Sequence, residues 1–318
     1  FTDIYQKTLK NGNFKDRNSI KWDRELTKYL ERGEEKSFEK EKIVNSLYRP
    51  FTKKYFYFDR HFNGMTYQWY SIYNGEKTNK TILIRSFGSN RPFNTMATDT
   101  IAELHVAGAN QCLPFYRYDK SGNRTDNITD WALNQFTRHY SDKNIIKEDI
   151  FHYVYAVLHN PAYRKKYEIN LKREFPRIPF YNGFQQWKNW GKTLMDLHIN
   201  YESAEPYPIK IIETSQKESP KAKLRAITDN GEIILDENTM ISGIKATAWE
   251  YKLGNRSALH WVLDQYKEKK PKDETIAKKF NTYRFADYKE QVIDLLKKIC
   301  FVSVKTTEII KEMNEEQP

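Results

Sequence analysis

Aromatic side chains constrain this chain more than any other feature. It carries 22 Tyr, 18 Phe and 7 Trp, although 30% of its residues are charged. So many large rings, once buried, supply a real core, which excludes a disordered tail or a low-complexity linker. No apolar run approaches the ~20 residues of a membrane-spanning helix, so no membrane partner is expected. Two cysteines, Cys112 and Cys300, make no disulfide framework, and neither sits within a metal-ligand spacing. The expected compartment is the reducing cytoplasm. The chain opens on Phe1 without a Met or a signal-type leader and reads as a piece of a longer polypeptide.

Local patterns divide the sequence into alternating textures. Residues 1–45 are polar and charged, with a Glu- and Lys-rich stretch from Glu31 to Lys42, and read as helix or connector. Aromatics crowd in from Leu47 to Phe58. Strand-like alternation follows at Thr81–Arg85 and Ile101–Val106, and Ser121 to Asp130 reads as a polar loop. Ile150, Phe151, Val154, Val157 and Leu158 recur at helical spacing behind Glu148 and Asp149, an acidic first turn. Asn160-Pro161 ends that helix and starts a second one, Asn as N-cap and Pro at the first position. The second is a basic helix from Pro161 to Glu174, with Tyr163, Tyr167 and Leu171 on one side. A third helix carries Phe184, Trp187, Leu194, Met195 and His198. Asp229-Asn230-Gly231, between apolar runs, signals a hairpin, and helices are expected over Ala258–Tyr266 and Asp287–Ile299. The sum is an α+β chain, with β segments interleaved with helical ones and no internal repeat.

The net charge of +11 has an uneven origin. Residues 1–200 hold 33 Lys and Arg against 22 Asp and Glu, whereas residues 201–318 hold 20 against 20. A folded, aromatic-rich and locally basic chain points to a polyanion, nucleic acid first. Catalytic signatures are absent: there is no P-loop, G-x-G-x-x-G, G-x-S-x-G, H-E-x-x-H or Asn-Pro-Pro-Tyr-type string. One imitation exists, because Asp236 with Glu250-Tyr251-Lys252 copies the Asp…Glu-x-Lys spacing of Mg-dependent nucleases. Short acidic-x-Lys strings also arise by chance in a chain this charged, Asp287-Tyr288-Lys289 being another. Glu148 and His152, four apart, are a weaker metal pair, more simply read as a helix-start carboxylate beside a half-buried His.

Several longer strings together carry a resemblance. They are Ser46-Leu47-Tyr48-Arg49-Pro50-Phe51, Cys112-Leu113-Pro114-Phe115-Tyr116, Trp131-Ala132-Leu133-Asn134-Gln135-Phe136 and Lys147 to Arg164. Phe175-Pro176-Arg177-Ile178-Pro179, Leu197 to Glu202 and Trp249 to Leu259 continue the series. In this order they resemble the C-terminal specificity region of Type ISP restriction–modification enzymes, large single-chain proteins. The resemblance implies that a nuclease, a helicase-like ATPase and an adenine-N6 methyltransferase precede this region in the same polypeptide. Residues 1–45 would then be the methyltransferase's tail or connector. Residues 46–318 would be the target recognition domain, as one large domain or as lobes 46–200 and 201–318. S-adenosylmethionine, ATP and Mg are expected only in the parent enzyme, so this chain is expected to hold no cofactor and to be non-catalytic by itself.

The implied partner is double-stranded DNA, alongside the methyltransferase and helicase-like domains of the same polypeptide. Phosphate contacts are expected from the basic residues of the first 200: Arg49, Lys53, Lys54, Arg60, Arg85, Arg91 and Arg117. Arg164, Lys165, Lys166, Lys172 and Arg173 on the basic helix and Arg177 just beyond it extend the set, and Asn134 is a further DNA-binding candidate. Base contacts are expected from Arg, Asn and Gln side chains that no motif assigns. An ordinary solvated lysine face is the plain alternative for that helix. Two other functions compete: a stand-alone nuclease built on Asp236, Glu250 and Lys252, and a protein-interaction module of the parent complex.

Overall fold

The computed structural model describes residues 2–12, 20, 22–73, 79–88, 91–269, 277 and 283–315. The fold is α+β: several small, separate sheets pack with a set of helices rather than forming one large sheet.

The first sheet joins Thr52–Tyr57, Ile43–Arg49 and Ile101–Ala102, antiparallel across the first pair and parallel across the second. Its hairpin turns at Pro50-Phe51. Phe51 takes φ 55° and is fully buried, edge-on to Tyr201 with ring centroids 5.2 Å apart. Thr81–Arg85 is central in a second sheet between Thr95–Thr98 and Asn110–Pro114, and all five of its residues are buried. The expected Ile101–Val106 strand stops at Ala102. There the Glu103 carboxylate accepts from the His105 amide, and the Asn110 side chain accepts from Val106, in place of a ladder. The polar stretch expected as a loop contains Arg124–Asp126, which pairs with Tyr116–Tyr118 as a two-stranded ribbon.

The predicted helix behind Glu148 and Asp149 spans Lys147–His159 and packs closely against Phe184–Ile199. The crossing is tight enough to demand glycine: a Cβ at Gly191 would lie 1.8 Å from the His152 carbonyl oxygen. Asn160 caps the next helix through its side chain, which accepts from the Tyr163 amide at 2.7 Å. That helix is not continuous to Glu174. Tyr167, at ψ 22°, separates Pro161–Lys166 from Glu168–Leu171, while Tyr163 and Leu171 stay buried on the inner side as expected.

Residues 222–227 and 232–236 form the expected hairpin, within a four-stranded sheet completed by Thr239–Ser242 and Lys210–Glu213. Gly231 closes its turn at φ 66°, and a Cβ there would meet the Ile244 carbonyl oxygen at 2.3 Å. The last helix is longer than the periodicity suggests, running Lys289–Glu315.

Two large cores result. One gathers Leu47, Phe51, Leu83 and Met96 with residues from Tyr201 to Val304, and the other gathers Phe115, Tyr153, Trp187 and Leu194 with Met313. The Lys289–Glu315 helix serves both. A smaller core of Tyr5, Leu26 and Leu30 joins the helices Thr2–Lys10 and Arg24–Glu31 to Phe62. Beside the large cores lies a buried polar chain. His198 shares hydrogen bonds with the hydroxyls of Tyr155 (2.6 Å) and Thr306 (2.9 Å) and stacks on Tyr251. Burial, and then the Arg164 charge, pushes the His198 imidazole down to about 3. Among the described residues no helix is long and apolar enough to cross a membrane.

Candidate nucleic-acid interface

On the first sheet, alternation turns polar and aromatic side chains outward from Thr52–Tyr57. Lys54 is exposed and its ammonium lies 4.5 Å from the centre of the Tyr48 ring, which also carries the Arg49 guanidinium at 4.1 Å. Tyr55 is 83% exposed, unusual for so large a ring in a well-packed chain. Arg49 and Lys53 are less free: Arg49 pairs with Glu103 at 2.6 Å and Lys53 with Glu202 at 2.7 Å.

The chain then enters a tightly anchored loop. Buried Asp59 accepts from the His61 amide (2.7 Å) and from the Lys42 ammonium (2.6 Å). Burial opposes its ionisation, but the Lys42 and His61 bonds outweigh that and hold its carboxyl below the ordinary range. Asn63 donates to the carbonyls of Tyr57 and Asp59, and Trp69 packs edge-on to Phe56. From this frame Arg60, Met65 and Tyr67 face solvent.

Two clefts flank the loop. A cleft of about 970 Å³ is lined by Tyr48, Lys54, Tyr55, Arg60 and Met65, with Asp23 and Glu103 adding negative charge. A second, of about 700 Å³, lies between Arg60, Tyr67 and Gln68 on one side and Tyr118 and Lys120 on the other. Arg60 lines both. Arg117 donates weakly to the Gln68 side chain (3.4 Å), which ties the 116–126 ribbon to the same surface. The ribbon brings its own cations: Lys120 at the tip, and Arg124 lying 4.1 Å over the Tyr116 ring. Asp119 fixes the tip by accepting from Ser121, Asn123 and the Asn123 side chain, and these bonds, the Asn123 side chain first, lower its pKa.

The structure therefore brings Lys54, Arg60 and Arg117 together. A second basic group lies elsewhere on the chain. The Gly88 amide donates to the Lys172 carbonyl (2.9 Å) and Phe87 meets Phe175, joining Phe87-Gly88 to the 161–177 segment. There Lys165, Lys166 and Arg173 are exposed, as is Arg91, while Lys172 pairs with Glu168 and Arg177 with Glu174. Two of the expected phosphate ligands point inward. Arg85 is 8% exposed and donates to the Ala107 carbonyl against Gly108, and burial and then the Arg91 charge lower its pKa. Arg164 bonds the Leu158 carbonyl at 2.6 Å, and burial brings its guanidinium down to about 10. Asn134 is exposed one turn from Trp131, itself 72% exposed, on the helix Asp130–His139.

Sequence reasoning missed Tyr55, Met65, Tyr67, Lys120 and Arg124. The Asn63-Gly64 dipeptide marks a turn, but nothing in the string tells which of the following side chains face out. The nuclease imitation is not assembled. Asp236 is buried, accepts from the Asn238 and Thr239 amides and pairs with Lys289 at 3.0 Å, while Glu250 pairs with Lys311 at 2.9 Å. Glu148, of the weaker metal pair, is held by Lys80 at 2.8 Å. Among the described residues no group of three or more His, Cys, Asp or Glu is placed to hold a metal ion.

Comparison with known proteins gives a consistent result. The family model of the Type ISP C-terminal specificity domain matches residues 1–295. Among solved structures, the chain is similar to DrdV in a cryo-EM structure of a DrdV–DNA complex. The TM-score is 0.91 and the identity 46%, over 100% of this chain and 33% of that one. It is similar to LlaBIII, an ATP-dependent Type ISP restriction–modification enzyme bound to DNA, with TM-score 0.82, 28% identity, and coverage of 99% and 21%. A nuclease-deletion mutant of the Type ISP enzyme LlaGI, in complex with a DNA substrate mimic, gives TM-score 0.77, 29% identity, and coverage of 98% and 25%. The chain thus spans about a third of the first of these proteins and a quarter or less of the others. No curated protein matches it.

Proposed function

The chain belongs to the Type ISP C-terminal specificity domain family, and from that premise we propose that it is a target recognition domain that reads double-stranded DNA by sequence. The observation that carries this reading is likeness over the whole chain, at TM-score 0.91, to a protein solved in complex with DNA. The surface shared by Lys54, Arg60 and Arg117 supports it with cations beside exposed rings. In this reading exposed Arg and Lys grip phosphates and set the register on the duplex. The 116–126 segment is a two-stranded ribbon, an element that a major groove admits, and in this reading Arg, Asn and Gln side chains read base edges there.

Its service to the parent polypeptide is to present one adenine, out of the stack, to a methyltransferase domain, and to license ATP-dependent cleavage by other domains. S-adenosylmethionine, ATP and Mg belong to those domains, in the cytoplasm. Residues 1–45 act as the tail of the methyltransferase or the connector from it. Calorimetry of this chain with S-adenosylmethionine and with ATP should give no saturable heat; a tight site for either would refute that part.

Selection from a randomised duplex pool tests the central claim. A single enriched motif, methylated at one adenine by the full-length enzyme, is the expected result. A pool that stays random after repeated rounds would refute sequence reading.

A further inference from the structure

Met65 and Tyr67 are the feature that phosphate gripping does not explain. Both are large and apolar, and they are 74% and 69% exposed. Both also have left-handed backbone angles, φ 54° and 42°, which L-residues other than Asn and Asp seldom adopt. Thr66 between them is buried, and its carbonyl accepts from the Trp69 amide at 2.9 Å. The tyrosine hydroxyl meets the Met65 sulfur at 3.7 Å, so the two side chains form one unit rather than two loose tips. The frame beneath is anchored at both ends: Asp59 and Asn63 tie its start, and Trp69 and Tyr70 pack on Phe56 and Phe58 at its end. Arg60 stands beside the pair and faces both clefts.

We propose that Met65 and Tyr67 form a preformed wedge that enters the duplex between two base pairs and kinks it. This deepens the DNA-reading function and rests on it. Apolar side chains, Met among them, unstack a base step when cations alongside hold the phosphates, and the bend lets more protein surface meet the duplex. An anchored support suits this task, because an untethered loop would yield before the stack did. Local backbone strain held by surrounding structure is a recurrent property of such sites. One consequence is specificity without a hydrogen bond. Pyrimidine–purine steps kink most easily, so the wedge position should favour TA or CA/TG.

The test uses the duplex selected by this chain, with 2-aminopurine walked through the motif and a donor–acceptor dye pair on its ends. Wild-type protein should brighten 2-aminopurine several-fold at one step and shorten the end-to-end distance, as a kink within about 20–90° requires. Met65→Ala/Tyr67→Ala should abolish both signals and weaken binding roughly tenfold. A mismatch placed at that step should restore most of the lost affinity, because the stack is already opened. Both side chains are exposed, so the variant should melt with the wild type. Wild-type binding without brightening, or a variant that brightens normally, would overturn the wedge while leaving DNA reading intact. Absence of wild-type binding to any duplex would overturn both.

Discussion

Salt dependence offers a quantitative test of where DNA lies. Each phosphate neutralised by a Lys or Arg releases counterions and adds about 0.9 to the slope of log K against log salt. With roughly five phosphates engaged, the wild-type slope should be about 4–5. Lys54, Arg60 and Arg117 share one surface, and among the described residues none of the three is in a salt bridge. Replacing all three with Gln should lower the slope by about 2.7, to roughly 2. Arg49 and Lys53 differ, because Glu103 and Glu202 already hold them. Each must exchange a carboxylate for a phosphate, so their loss should change the slope by well under about 0.9 per residue. The control is Lys267, Lys269 and Lys270 in the electrically neutral third; Lys269 lies 3.6 Å from Asp264, and Lys270 falls outside the described residues. Fluorescence anisotropy titrations across salt measure all the slopes. Equal flattening by the control, or a flat wild-type slope, would refute the placement.

Three further outcomes follow from the geometry. Replacing Lys165, Lys166, Lys172 and Arg173 with Gln should weaken cognate and random duplexes by the same factor, since lysines carry little base discrimination; loss confined to the cognate duplex in competition titrations would contradict this. Gly191→Ala should destabilise the chain by about 1–3 kcal/mol in urea melts, because its Cβ would force the Lys147–His159 and Phe184–Ile199 helices apart. His198 is pushed down to about 3 and His159 well below its ordinary 6.5, burial first in each. The unfolded chain therefore takes up their protons first. Stability should hold above about pH 6.5 and fall by about 1.4 kcal/mol per pH unit for each His below it, and His198→Gln should make urea melts at pH 5 less acid-sensitive.

What the sequence revealed of this fold follows a physical divide. Local signals were legible: the helix at Lys147–His159 from its spacing, the Asn160 cap, and the hairpin turning at Asp229-Asn230-Gly231. Elements settled by tertiary burial were not. Val302, Val304, Thr306 and Thr307 are β-branched and look like strand, yet they continue the last helix because each is buried along it, and Thr307 donates to the Thr247 carbonyl. The candidate site divides in the same way. A basic, aromatic surface was readable from charge, but direction was not. Arg85 and Arg164 turn inward, while Tyr55 and Tyr67, rings that a sequence places in a core, turn outward. Lys120 and Arg124 were passed over because a polar loop gives no hint that it is a paired ribbon.

The small core near the start of the chain gives the loop at Arg60 a mechanical neighbour. Tyr5, on Thr2–Lys10, meets His61 edge-on at 4.8 Å, and Tyr29, on Arg24–Glu31, stacks on the other part of the ring at 4.3 Å. The imidazole is thus gripped between two helices, one residue away from Arg60 and a few from Met65. The Thr2–Lys10 helix therefore touches the residue next to Arg60 directly, through one ring contact. The position of these two helices thus bears on where the Arg60 loop sits, so the start of the chain is part of the frame of the candidate interface.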